Sequence, residues 1–292
     1  MQFFTQLLLG GLMVGAIYGL LGMGYSLIYR ASGLLTFAQG EFFMLGAFFT
    51  YVFLVNVGVP FLVAAIGVVV IMAAVGFLTE RLLIGPLIRR GSGAIQIVLA
   101  TIGLSILLSN AAMMIWGSEG FSVPTVFGDT PLKLAGLHIV PQNLMIIVIM
   151  LLLMLALQLF MNKSRLGTAL RAAAQDKIAA ATLGINVPLA VGLTWAIATG
   201  LAGVAGLLIA PIYGVNAHMG LLVGLKGFAA AVVGGYGSIY GAVVGGFLVG
   251  IVETMTSGYI DSTMKDVVVF AVLLAVLFVR PNGLLRNDML ED

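Results

Sequence analysis

Apolar residues run through this chain in blocks of roughly 17 to 25, the length that crosses a hydrocarbon core of about 30 Å as helix. Polar positions fall almost wholly between the blocks. The pattern predicts spans at about 3–28, 32–56, 61–79, 94–116, 143–161, 188–211, 239–255 and 267–279, the last needing its flanking residues to cross. Blocks this long and unalternating exclude a transmembrane barrel. The polar stretches reach at most about 25 residues, below the size of an independent domain, so residues 1–292 are expected to form one transmembrane domain. The fold class is therefore all-α and polytopic, with about eight transmembrane helices.

Three stretches depart from the pattern. Within the second span, Thr36-Phe37-Ala38-Gln39-Gly40-Glu41 interrupts the apolar run. In a continuous helix from Gly33, Glu41 would lie about 12 Å deep, where a carboxylate is costly. Either Gly40 breaks the helix and Glu41 meets water in a cytoplasmic vestibule, or Glu41 is a buried gate or lock residue. The second departure is 220–237, ending in Gly234-Gly235-Tyr236-Gly237, which is short for a full crossing and reads as a short or re-entrant helix turning near Gly235. Broken helices mark substrate paths in transporters, so Gln39, Gly40, Glu41, Gly234, Gly235 and Tyr236 are the candidates for a translocation path or gate.

The third is Ser164 to Val187, the longest polar interval that still reads as a helix. Thr168 to Leu183 is alanine-rich and free of proline, with Thr168 placed as N-cap and Gly184 as C-terminal cap. Arg171 would then sit in the first turn, against the helix dipole, and Leu170, Ala174 and Ile178 would form an apolar strip. Such a helix can dock into a cleft, although a solvated connector between spans would look similar.

Small residues recur at helical spacing. Gly11, Gly15 and Gly19 in the first span, Gly200, Gly203 and Gly206 in the sixth, and Gly237, Gly241 and Gly245, followed by Gly246 and Gly250, leading into the seventh predict close helix contacts. The first and last of these stripes could mark corresponding elements of a repeat. Trp195 is expected to be packing, and Trp116 to mark a membrane interface. Gly85-Pro86 is expected to stop a helix and make Glu80 to Arg90 a basic loop.

Composition agrees. Of 292 residues 61% are hydrophobic and 8% charged, with mean hydropathy +1.18, far outside the soluble range. Cysteine is absent, which excludes disulfide and thiol chemistry, and two isolated histidines, His138 and His218, cannot hold a metal alone. The first apolar run lacks a basic leader and is too long for a signal peptide, so it reads as a retained span. Basic residues set an orientation: of the thirteen Lys and Arg, all but Lys133, Lys226 and Lys265 fall on one side if the N-terminus is external and the C-terminus, with Arg280 and Arg286, is cytoplasmic. Glu119, Asp129, Lys133 and His138 then share an external loop. Glu253, Asp261, Lys265 and Asp266 read as residues of the outer interface. No Walker A sequence, His-Glu-x-x-His or Gly-x-Ser-x-Gly elbow is present. The chain is not expected to be an enzyme.

Several motifs together carry a resemblance. Gly167, Arg171-Ala172, Ala174-Gln175-Asp176 and Gly184-Ile185-Asn186 look like the ATPase-coupling loop of the branched-chain amino acid ABC permeases. Phe37 to Glu41 with Met44 to Ala47, Glu80-Arg81 with Pro86-Leu87, Thr101 to Gly103, Trp116-Gly117, Ala210-Pro211, Met219-Gly220, Leu225-Lys226 and the glycine run 234–246 resemble the H-type subunit in the same order. Tyr240 departs from the pattern, where a small residue or proline is expected, and puts the turn before the glycine stripe in question. The resemblance implies a multi-pass subunit of the bacterial inner membrane, surrounded by lipid, that binds no cofactor and no nucleic acid. Its partners would be a second, M-type permease in a heterodimer, two cytoplasmic ATPases that bind ATP and Mg²⁺, and a periplasmic substrate-binding protein. The cargo would be branched-chain or related small amino acids. Arg165, Gly167, Arg171, Ala172, Gln175, Asp176 and Gly184 would form the ATPase-coupling surface. Importers of urea, amides and aromatic acids share the motifs, and the sequence alone also admits an ion-coupled secondary carrier or a scaffold with no transport role.

Overall fold

A computed structural model describes residues 2–125, 132–134 and 137–285, with backbone alone for 132–134 and 137–139. In chain order the elements are α1 (Gln2–Ser32), α2 (Gln39–Val57), α3 (Phe61–Arg89), α4 (Ala94–Trp116), β1 (Leu132–Leu134), β2 (Leu137–Ile139), α5 (Pro141–Lys163), α6 (Arg165–Gln175), α7 (Lys177–Thr182), α8 (Val187–Tyr213), α9 (Met219–Gly234), α10 (Ile239–Tyr259) and α11 (Lys265–Val279). Among the described residues seven helices are long and apolar enough to cross a membrane, and α9 and α11 are shorter apolar helices of 16 and 15 residues. The fold is all-α and polytopic. A short hairpin, β1 paired antiparallel to β2, lies in the loop that holds Asp129, which falls outside the described residues, as does Arg286.

The buried centre is made by α1, α8, α9 and α10, while α3, α4 and α5 keep most of their apolar surface exposed, as lipid-facing helices do. Glycine decides how closely the centre packs. A Cβ on Gly15 would fall 2.8 Å from the Cα of Phe247, and one on Gly246 2.6 Å from the Cα of Gly19. The α1 stripe therefore lies against Gly246 and Gly250 of α10, backbone to backbone, while Gly241 and Gly245 face Gly234 and Ala230 of α9, so the two predicted stripes do not meet each other. In α8, Gly203 and Gly206 meet Met72 of α3 and Ala47 of α2, but Gly200 faces open space and is not part of that contact.

Three further expectations are corrected. Gly85-Pro86 does not stop α3: wide i→i+5 turns at Glu80–Ile84 relieve the clash between the proline ring and the preceding turn, and the helix continues to Arg89. The break in the second span falls at residues 33–38, before Gln39, not at Gly40, which is inside α2. The left-handed positions of the α9–α10 turn are taken by Gly235 (φ +114°) and Gly237 (φ +90°); Tyr240 is outside the turn and exposed, so it does not disturb the turn.

One end of the bundle gathers the cations. Lys177 Nζ donates to the carbonyl of Ser32 at 3.2 Å, and a small cavity brings Lys177 beside Arg81 and Arg89. A cation at the C-terminus of α1 complements that helix's dipole. The chain after α11 returns to the same end, where Leu284 and Leu285 N–H groups donate to the carbonyls of Val233 and Gly234.

Candidate functional site

The polar interval folds as two helices, not one. Ser164, not Thr168, caps α6, its hydroxyl accepting from the Gly167 N–H at 2.8 Å. Asp176 then ends α6 and caps α7, its Oδ1 accepting from the N–H groups of Ile178 (2.8 Å) and Ala179 (2.9 Å). A carboxylate that satisfies two backbone donors outcompetes helix continuation, which alanine propensity alone could not reveal. Gly184 (φ +82°) closes α7 as expected. Arg171 therefore sits in the second turn of α6, and Arg165 takes the first-turn position instead. Arg171 is half-buried and donates to Asn162 Oδ1 at 3.3 Å.

The anticipated apolar strip also divides. Leu170 and Ala173 are buried against the spans, while Ile178 (80% exposed), Leu183 (79%) and Leu166 point outward. With exposed Arg165, Gln175 and Asp176 they give a surface of isolated apolar knobs set among polar groups. Ala172 is half-buried. Gly167 is buried in the α5–α6 corner, where a Cβ would fall 2.6 Å from the Cα of Met161, so its role is to let the corner close. The pair of helices is tied at both ends, by Ser164 to α5 and by Asn186 Oδ1 capping α8 through Leu189 N–H (3.1 Å).

The break at residues 33–38 lies inside the bundle. Phe37 N–H donates to Thr101 Oγ1 at 3.2 Å, and Thr101 is seven residues into α4, about 10 Å from its start. The first turn of α2 follows at that depth. Gln39 is buried, its Nε2 donating to the carbonyl of Ala198 at 2.8 Å while its Oε1 has no partner among the described residues. Gly40 lies against Gly220 and Gly224 of α9. Glu41 is 3% exposed, so the vestibule reading is corrected: the carboxylate is buried, with Oε1 accepting from Ser105 Oγ at 3.1 Å and Oε2 unpartnered. It edges a cleft of about 550 Å³ between α2, α4 and α9.

Gly234, Gly235 and Tyr236 occupy a different place, the turn at the basic end beneath Leu284 and Leu285. A chain of rings nevertheless connects the two groups. Phe228 of α9 contacts Phe37 at 6.0 Å and Tyr236 at 5.6 Å between centroids, with Tyr25 and Tyr29 alongside.

The sequence reading missed a charge cluster. Lys226, expected outside, is buried within α9; its Nζ is 2.6 Å from Glu253 Oε1 of α10 and 2.6 Å from Asp266 Oδ1 of α11. Tyr18 of α1 donates to Glu253 Oε2 at 2.6 Å, and Lys265 Nζ stands 4.0 Å from Glu253. Glu253, Lys265 and Asp266 are thus partners in one balanced network joining four helices, not separate interface residues. The signal was available: Lys226 and Glu253 are opposite charges set inside apolar runs, which in a membrane require partners. The exposed Asp261 fits its rim assignment, and hydrogen bonds from the Thr263 N–H and hydroxyl hold its carboxyl below the usual range.

Membrane-crossing helices with a break that runs inward from the basic end, a buried charge network and a capped helix pair at that end define a multi-pass membrane permease. The family described as branched-chain amino acid transport system, permease component, matches residues 7–277. The chain is 36% identical to the high-affinity branched-chain amino acid transport permease protein LivH of Escherichia coli K12 over 99% of its own length and 97% of that protein's. It is 36% identical to BraD of Pseudomonas aeruginosa over the same shares, and 28% identical to LivM of Escherichia coli K12 over 92% of this chain and 68% of that one. No solved structure matches. The chain belongs to this family: it is a membrane permease subunit of the ABC importer type, not itself a catalyst.

Proposed function

We propose that this chain imports branched-chain amino acids across the bacterial inner membrane as one half of a heterodimeric pathway. The second half would be an M-type permease, a reading supported by the likeness to LivM. Two ATPases, which bind ATP and Mg²⁺ where this chain binds no cofactor, would engage the basic end from the cytoplasm, and a periplasmic binding protein would deliver substrate to the other. The N-terminus would then be external and the C-terminus cytoplasmic, in keeping with the gathered cations.

The observation that carries the coupling role is the exposure of Ile178 and Leu183 on a helix pair fastened to the spans at both ends. Arg165, Gln175 and Asp176 frame these knobs; Gly167, Arg171, Ala172 and Gly184 shape the pair from behind. Docked in an ATPase groove, the pair would move as a lever. Ser164, the Lys177 contact with Ser32 and the Asn186 cap would pass that motion to α5, α1 and α8. Coupling of this kind requires contacts that differ between the ATP-bound and free states. Of the path candidates, Gln39, Gly40 and Glu41 form the first turn of α2 directly after the break, and Gly234, Gly235 and Tyr236 would shape its inner end through Phe228.

The test is Ile178→Asp and Leu183→Asp in cells expressing the full importer. Both variants should insert normally, lose leucine uptake, and fail to retain the ATPases in a mild-detergent pull-down. Uptake by the isolated chain driven by an ion gradient would instead establish a secondary carrier.

A further inference from the structure

We infer that the Glu41 cleft is the place in the bundle where the α-ammonium group of an amino acid is held in transit. This rests on the amino-acid import proposed above. The argument starts from what Glu41 lacks. Its carboxylate is buried inside the bundle, one oxygen taking a single hydrogen bond from Ser105 and the other taking none, and no cation pairs with it among the described residues. Lys226 is committed to Glu253 and Asp266. A buried carboxylate left this way is costly, and the group that would complete it is a cation bearing hydrogen-bond donors.

The surroundings leave room for one. A Cβ at Gly220 would fall 2.5 Å from Glu41 Oε2, so glycine at this position keeps the side chain in place. The cleft it edges, about 550 Å³, has the size of a small-molecule site, about 300–1,000 Å³. Its walls divide by chemistry. Ser109 and Asn110 are polar, whereas Ile106, Leu221 and Leu222 present exposed aliphatic surface. A negative charge and aliphatic surface in one cleft suit a molecule with an ammonium group and a branched hydrocarbon side chain. They disfavour a molecule with no positive charge of its own to meet the carboxylate. A metal ion is a poor match, because the lining adds to the carboxylate a single imidazole, His218, beside hydroxyl and amide groups, and no group of three or more His, Cys, Asp or Glu that could hold a metal occurs among the described residues.

The experiment uses the complete importer, both permeases, ATPases and binding protein, in proteoliposomes, with labelled leucine imported per ATP hydrolysed as the readout. Glu41→Gln keeps the shape and removes the charge, and the ratio should fall at least tenfold; Glu41→Asp should stay within about threefold of wild type. Glu41→Gln at the wild-type ratio overturns the inference and makes Glu41 a packing residue. Should Glu41→Gln fail to assemble, Asn110→Leu and Ser109→Val at the cleft surface take its place: a ratio lowered at least threefold supports the site, and wild-type ratios from both overturn it. A wild-type importer that carries no amino acid would remove the import reading itself, an outcome distinct from either.

Discussion

Replacing Lys226 by Met tests whether the buried charge network holds the bundle together. Each of its two contacts at 2.6 Å is worth about 6 kcal/mol of gross attraction at an effective dielectric of about 20. Desolvation of three charges offsets most of that, so the network as a whole contributes little net stability. Removing only the cation is different. Glu253, with a side chain 9% exposed, would keep only the Tyr18 hydroxyl and the 40% exposed Lys265 at 4.0 Å beside the 39% exposed Asp266, a loss that costs about 3–5 kcal/mol. At roughly 2–4 °C per kcal/mol the apparent melting temperature should fall by roughly 6–20 °C. The assay is intrinsic fluorescence of Trp116 and Trp195 in detergent during heating, since the chain has no cysteine for a thiol dye. Adding Glu253→Gln to Lys226→Met should recover much of the loss, because the surviving Asp266 can hydrate. A Lys226→Met protein that melts within about 2 °C of wild type, or strict additivity of the two changes, would refute the argument.

Asp176→Ala removes the acceptor of two N–H groups at the start of α7 and should cost about 1 kcal/mol, seen as faster amide exchange at Ile178 and Ala179 together with reduced uptake. Gly15→Val would thrust a branched side chain into the backbone of α10 at Phe247 and should abolish accumulation of folded protein in the membrane, measured by detergent-soluble monodisperse yield. Pro86→Ala should leave insertion and uptake unchanged, because α3 already passes through this position; a large loss of uptake would show that the proline is needed for the wide turns at Glu80–Ile84.

Much of the architecture was legible without coordinates, because crossing a membrane is a local property. A run such as Phe61 to Thr79 must be helical in lipid whatever it packs against, so the ends of α3's first part and of α4 fell where hydropathy put them. The clustering of Arg and Lys, the family motifs and the turn glycines Gly184 and Gly235 were likewise readable, since each depends on its own residue and near neighbours. Tertiary structure alone decided the rest. Tyr18 meets Glu253 across 235 positions of chain, and no count along a segment reveals that Lys226 turns inward to join them. The same holds for Glu41, whose burial depends on Ser105 of α4 and Gly220 of α9, and for the glycines of α1, which meet Gly246 and Gly250 of α10 while Gly241 and Gly245 turn to α9. Hydropathy records which residues leave water; a charge or a glycine inside the bundle is placed by the particular helix beside it, and only the packed fold brings that helix there.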